Sequence, residues 1–190
     1  MRWRGGGGLL LLFLASVSEA QSVVRSVRLP LDLVPPALHP GAVEVGASLS
    51  TTTIEGQTRV ALGLRAGSFT GIGDGLVGYE AGVGYSRLPG LDVLDLEGAV
   101  TWQRMLGASG FQPFLAIAGG MRQEWLGSFR QARVLVGAGV GVRTLASHRA
   151  ALRAEYRLRR IMNDPVADFT EHQIWASLSL LFRNRPPSSR

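Results

Sequence analysis

From position 43 almost to the end of the chain, apolar side chains alternate one by one with polar or small ones. The run 43–50 sets Val43, Val45, Ala47 and Leu49 against Glu44, Gly46, Ser48 and Ser50. The run 133–143 sets Val134, Val136, Ala138, Val140 and Val142 against Arg133, Leu135, Gly137, Gly139, Gly141 and Arg143. Further runs of the same kind occupy 59–67, 77–86, 94–103, 114–122, 150–159 and 173–182. Successive side chains of a strand point to opposite faces, so a period of two predicts β-strands with one apolar face. Turn-prone pieces separate the runs: 70–75, Leu88-Pro89-Gly90, 107–110 and Asn163-Asp164-Pro165. Eight short strands joined by turns predict an all-β chain closed into an eight-stranded antiparallel up-and-down barrel.

The two faces differ in a way that bears on surroundings. The apolar positions carry no charged residue in any of the eight runs, a purity that either lipid or a buried protein core demands. The opposite positions hold Gly63, Gly78, Gly82, Gly84, Gly137, Gly139 and Gly141, with Ala, Ser and a few charges. Glycine weakens a water-exposed strand, whereas small residues suit the narrow interior of an eight-stranded barrel. The expectation is a transmembrane barrel with apolar side chains outward, and with Arg65, Glu80, Asp95, Glu97, Arg153 and Glu155 paired in the lumen. Tyr79, Trp102 and Phe182 fall near one set of strand ends and Tyr85 and Tyr156 near the other, with Trp125 in an adjoining loop. Two aromatic belts at the membrane interfaces would look like this. A soluble periplasmic lipid-binding barrel, with the faces reversed, is the rival.

Composition narrows the setting. Residues 1–20 read as a signal peptide: Arg2 and Arg4 lead an apolar core at Leu9 to Leu14, and Ser18-Glu19-Ala20 resembles a cleavage site. Residues 21–41 form a proline-rich N-terminal arm, 42–182 the barrel and 183–190 a tail. The apolar stretch of the signal is too short for a spanning helix, which needs about 20 residues. With no cysteine, the chain offers neither disulfides nor a thiolate metal site. The net charge is +6, but arginines spread along strands form no basic run for nucleic acid.

The run Leu178-Ser179-Leu180-Leu181-Phe182 resembles the closing strand of bacterial outer-membrane barrels, which ends in an aromatic. With the seven runs before it, the chain resembles the small eight-stranded outer-membrane barrels of the OmpA-barrel and Opa-like type. That resemblance implies a Gram-negative outer membrane, a narrow porin-like lumen, and the barrel-assembly machinery as a partner in biogenesis. Here Arg183 to Arg190 follow the aromatic, where such chains often stop. Residues 155–163 are also similar to a strand of the outer-membrane lipid A deacylases, whose His-x-Ser-Asn motif carries the hydrolysis. Arg160 and Met162 stand where that histidine and serine would be, and Asn163 alone matches. Neither a protonated guanidinium nor a thioether acts as base or nucleophile.

Candidate chemistry is sparse. Of the three histidines, His39 lies in the arm, His148 in a turn, and His172 follows Glu171 on a strand, where neighbours face opposite ways. No cofactor, metal or catalytic residue is expected. If strands alternate direction from a periplasmic N-terminus, Arg59, Arg87, Arg122, Arg130, Arg133, Arg157, Arg159 and Arg160 fall toward the outer rim. A collar of arginines could bind lipopolysaccharide phosphates bidentately; ordinary use of arginine for every basic position is the alternative. The expected function is a structural or membrane-organising outer-membrane protein that is not an enzyme, with a lipid-modifying enzyme or its diverged relative as the second class.

Overall fold

In the computed structural model, residues 37–54, 57–104, 110–162 and 169–184 are described. They form eight strands: β1 (Val43–Ile54), β2 (Gln57–Ile72), β3 (Gly75–Leu88), β4 (Leu91–Arg104), β5 (Phe111–Leu126), β6 (Phe129–Ser147), β7 (Ala150–Met162) and β8 (Phe169–Phe182). Each pairs antiparallel with the next, and β8 returns to β1 to close the barrel. Closure gives every strand two partners, so the wall presents no open sheet along its length. The expected signal segment, most of the arm and the end of the tail lie outside the described residues.

The strands overrun the sequence pattern. They are 12 to 19 residues long, whereas about 9–11 cross the hydrocarbon of a bilayer. The piece at 70–75 shrinks to a two-residue turn, because Ile72 pairs with Gly75. The loop expected around Trp125 shrinks likewise, with Leu126 paired to Phe129 and Trp125 itself inside β5. Gly73 and Gly127 take positive φ at the first central position of these turns, the place where a type II′ hairpin asks for glycine. Between Leu88 and Leu91, Pro89 precedes Gly90, whose φ is +79°; proline then positive-φ glycine is the type II order. Short turns chosen by glycine, more than long loops, fix the register of the wall.

Exposure settles which face is outside. Leu62, Leu64 and Ile117 are 69%, 63% and 72% exposed, while the lumen-facing Arg122 and Arg143 are 1% and 0% exposed. The apolar stripes therefore point outward on all eight strands, which excludes the reversed, soluble arrangement. Tyr79, Trp102, Phe111 and Phe182 are exposed toward the end where β1 begins and β8 ends, the terminal end, and Tyr85, Phe129 and Tyr156 toward the far end.

Apolar side chains close one mouth and line the lumen toward the other. At the terminal end Leu38, Ala42, Phe69, Leu76, Leu145, Ala151 and Leu181 form one buried cluster. Leu38 comes from the segment ahead of β1, so the last residues of the arm lie across this mouth. The Gly41 N–H donates to the Phe69 carbonyl at 2.7 Å, and the His39 N–H to Asn184 Oδ1 at 2.9 Å. Asn184 thus ties the residues after β8 to those before β1. Toward the far end Val93, Leu135 and Ile161 are buried on the lumen side.

Lumen glycines make room for this filling. A Cβ on Gly120, which faces inward, would lie 2.0 Å from the Leu96 carbonyl oxygen; on its outward neighbour Gly119 it would meet nothing nearer than 3.8 Å. Gly120→Ala is expected to lower stability by about 1–3 kcal/mol, and Gly119→Ala to change it by less than about 0.5 kcal/mol. Urea unfolding of the two variants in phospholipid vesicles checks the contrast.

Candidate functional site

Alternation puts one lumen residue at every second position, and the charged ones stack into a column. Nearest the terminal end, Arg143 reaches Glu44 at 3.0 Å, and also Gln103, whose Nε2 donates to Gln112 Oε1 at 3.0 Å. One step deeper, Arg153 donates to both oxygens of Glu80 at 2.6 and 2.8 Å and to Glu155 at 2.7 Å. Arg65 approaches the same Glu80 at 3.3 Å. Arg157 holds Glu155 through two nitrogens at 2.9 and 2.7 Å and bonds Glu97 as well.

Further toward the far end, Arg122 clamps Asp95 at 2.7 and 3.0 Å and reaches Glu171 at 2.9 Å. Arg159 joins Glu97, Asp95 and Glu171, the last two at 3.1 and 2.7 Å. Arg59 lies over this group, 3.8 Å from Asp95 and 3.9 Å from Glu171. Aromatic faces fill what carboxylates do not: Trp175 lies between Arg65 and Arg157, 4.9 and 5.1 Å from its ring centre, and Arg153 stacks 4.2 Å from the Phe114 centre. The planar guanidinium suits both duties, forking onto carboxylates and stacking on rings.

The balance of this column is its main electrostatic property. Seven arginines (59, 65, 122, 143, 153, 157, 159) face six carboxylates (Glu44, Glu80, Asp95, Glu97, Glu155, Glu171) among the described residues. An ion moved out of water costs several kcal/mol unless paired, and here five of the six carboxylates are shared between guanidiniums while Glu44 meets Arg143. Little space remains. A void of about 10 Å³ lies among Ser48, Ser50, Gly82, Gly84, Gln173 and Trp175, no more than one water needs. Side chains fill the lumen, and a guanidinium held charged by carboxylates has no proton to give or take at neutral pH.

No family model matches the chain, and no curated protein does. Solved structures do match it. The crystal structure of Neisserial surface protein A aligns with 76% of this chain and 98% of its own, at 14% identity and a TM-score of 0.55. The N-terminal β-barrel domain of OprF from Pseudomonas aeruginosa aligns with 75% of this chain and 98% of its own, at 13% identity and a TM-score of 0.50. The fold is that of the small eight-stranded outer-membrane barrels. Apolar wall outside and paired charges inside are the two halves of that architecture.

Within this barrel, the arginines expected at the rim divide into two groups. Arg59, Arg122, Arg157 and Arg159 are lumen residues, 1–7% exposed and committed to carboxylates. They are withdrawn from the collar: height along a strand was read from the sequence, but parity turns these four inward. Arg133 shares that inward parity, being paired with Arg122, and is half-buried at the far end of the lumen, 3.2 Å from Glu124. The other three stay at the outer surface: Arg87 sits 3.6 Å from Asp92, and Arg130 and Arg160 are exposed.

Glu171 and His172 do face opposite ways. Glu171 is buried in the arginine column, while the outward His172 meets the Tyr156 hydroxyl through Nδ1 at 2.6 Å. The roles of Glu44, Arg143 and Glu171 in the column were missed, although their parity marks all three as lumen residues. At the position compared with the deacylases, Arg160 points outward from the wall; Asn163 lies outside the described residues.

Removing a partner from the column should be costly. Arg122→Leu leaves Asp95 and Glu171 short of a cation, and a loss of about 3–5 kcal/mol is expected. Arg104→Gln breaks only an exposed pair with Asp74, for which about 0–1 kcal/mol is expected. Equilibrium unfolding in vesicles, run on both, separates buried pairing from surface pairing.

Proposed function

We propose that the chain is a small integral protein of the bacterial outer membrane, with a structural or membrane-organising role and no catalysis. The filled lumen carries this reading: ion pairs occupy the centre, and an apolar cluster closes the mouth at which β1 begins. A path for solutes would require several arginine–carboxylate bonds to break together. The likeness in fold to Neisserial surface protein A and the OprF barrel domain supports the membrane address. The wall itself supports it too, because exposed leucines, valines and isoleucines on every side are tolerable in hydrocarbon and not in water.

Contact with lipopolysaccharide belongs to the outward surface arginines, Arg87, Arg130 and Arg160, in place of the wider collar. Strands longer than the hydrocarbon is thick lift these residues to headgroup height. The barrel-assembly machinery is the partner during insertion. Phe182 is exposed at the end of β8, with Arg183 and Asn184 after it.

Three measurements test this reading. Purified protein in planar bilayers is expected to show no steady conductance; open channels would overturn the closed lumen. Lipid A mass spectra of cells with and without the protein are expected to coincide, and a lost or added acyl chain would favour the lipid-modifying alternative. Charge reversal at Arg87 and Arg130 is expected to lower co-purifying lipopolysaccharide, and unchanged retention would remove the rim contact.

A further inference from the structure

The outward face of the β7–β8–β1 seam changes character at one level. Read from the terminal end, β8 presents Phe182, Leu180, Leu178, Ala176 and Ile174, then His172 and Thr170. On β7 the outward order is Leu152, Ala154, Tyr156 and Leu158, then Arg160. On β1 Leu49 gives way to Thr51 and Thr53. From Phe182 to Ile174 eight residues cover about 27 Å along a tilted strand, the order of the ~25 Å apolar band of such barrels. The polar residues therefore begin where hydrocarbon ends.

Register gathers them. His172 is paired with Leu158 on β7 and with Thr53 on β1, and Arg160 is paired with Thr170. Tyr156 and Arg160 are thus the two diagonal neighbours of His172, one below Leu158 and one above it. Diagonal neighbours lie roughly 7–8 Å apart, within reach of long side chains. The Tyr156–His172 bond of 2.6 Å fixes the imidazole. In either tautomer the pair keeps one proton to donate outward, from Nε2 or from the phenol. Arg160 carries five donors, more than one partner uses. On the opposite side of the rim, by contrast, Arg87 and the Tyr85 hydroxyl are both directed at Asp92.

We infer that Arg160, His172 and Tyr156, with Thr53 beside them, form a binding site for the phosphate of an outer-leaflet lipid headgroup. The wall below, Leu158 and Ile174 with Leu49, receives the acyl chains of the same lipid. This rests on the rim-contact reading above and narrows it to one site. Cation, oriented donor and hydroxyl sit on one face beside an apolar surface, which is the pattern a phosphorylated lipid presents in reverse.

The test uses the full mature barrel in detergent micelles, with native mass spectrometry counting bound phosphorylated lipid A. Heat-modifiable gel mobility verifies that each variant is folded, which surface positions should permit. Arg160→Gln and His172→Ala are each expected to weaken binding roughly tenfold, while Arg104→Gln at the terminal end leaves it unchanged. Lipid A stripped of phosphate should bind weakly to wild type, and inorganic phosphate at equal concentration should not compete. Unaltered affinity in both variants, with wild type still binding, overturns this site and leaves the wider rim contact standing. Absence of binding by wild type overturns both. Equal binding of dephosphorylated lipid removes the phosphate from the proposal, and competition by inorganic phosphate replaces the lipid with a free anion.

Discussion

Pairing of arginine with carboxylate inside the wall is the interaction on which the rest of this structure depends. A barrel whose outside is apolar has to put its polar side chains inward, and the eight-strand lumen is too narrow to hydrate them freely. Charges placed there must satisfy one another. Sharing Glu80 among Arg65, Arg143 and Arg153, and Asp95 and Glu171 among Arg59, Arg122 and Arg159, does so from seven of the eight strands. The column is a crosslink as well as a filling. Strands far apart in sequence are held at their correct heights because a guanidinium fork tolerates little displacement.

Function follows from what this filling forbids. A lumen of shared ion pairs, closed by Leu38 and its neighbours at one mouth and lined by Val93, Leu135 and Ile161 toward the other, leaves little free space among the described residues. Chemistry with the surroundings is left to the outer wall and the far rim. There the same alternation that buries Glu171 turns His172 outward, so one dipeptide serves both sides of the wall.

The strand segments and their facing were legible residue by residue. Val134 to Val142 against Gly137 to Gly141 already states that one side of β6 is greasy and the other nearly bare. The bare side needed its partner to be understood: a Cβ on Gly141 would lie 2.3 Å from the Phe114 ring, and one on Gly139 would lie 3.0 Å from a Glu155 carboxylate oxygen. Rim arginines were read less well. Arg122 and Arg159 stand high on their strands, yet parity turns them into the lumen, where the positions paired with them hold Asp95 and Glu171. Turns were overestimated at 70–75 and around Trp125, because polar and glycine residues at strand ends remain paired when the hairpin is tight.

The amino-acid order by itself determined the strands, their number and the faces they present, since a period of two needs no tertiary information. Its charge content also implied a paired interior. Only the closed sheet decided which charges meet: Arg143 and Glu44 lie 99 positions apart and touch because β8 returns to β1. The mouth closed by residues ahead of β1, and the meeting of Tyr156 with His172 across two strands, were likewise decided by register. Register is a property of neighbours, and neighbours exist only once the chain has folded.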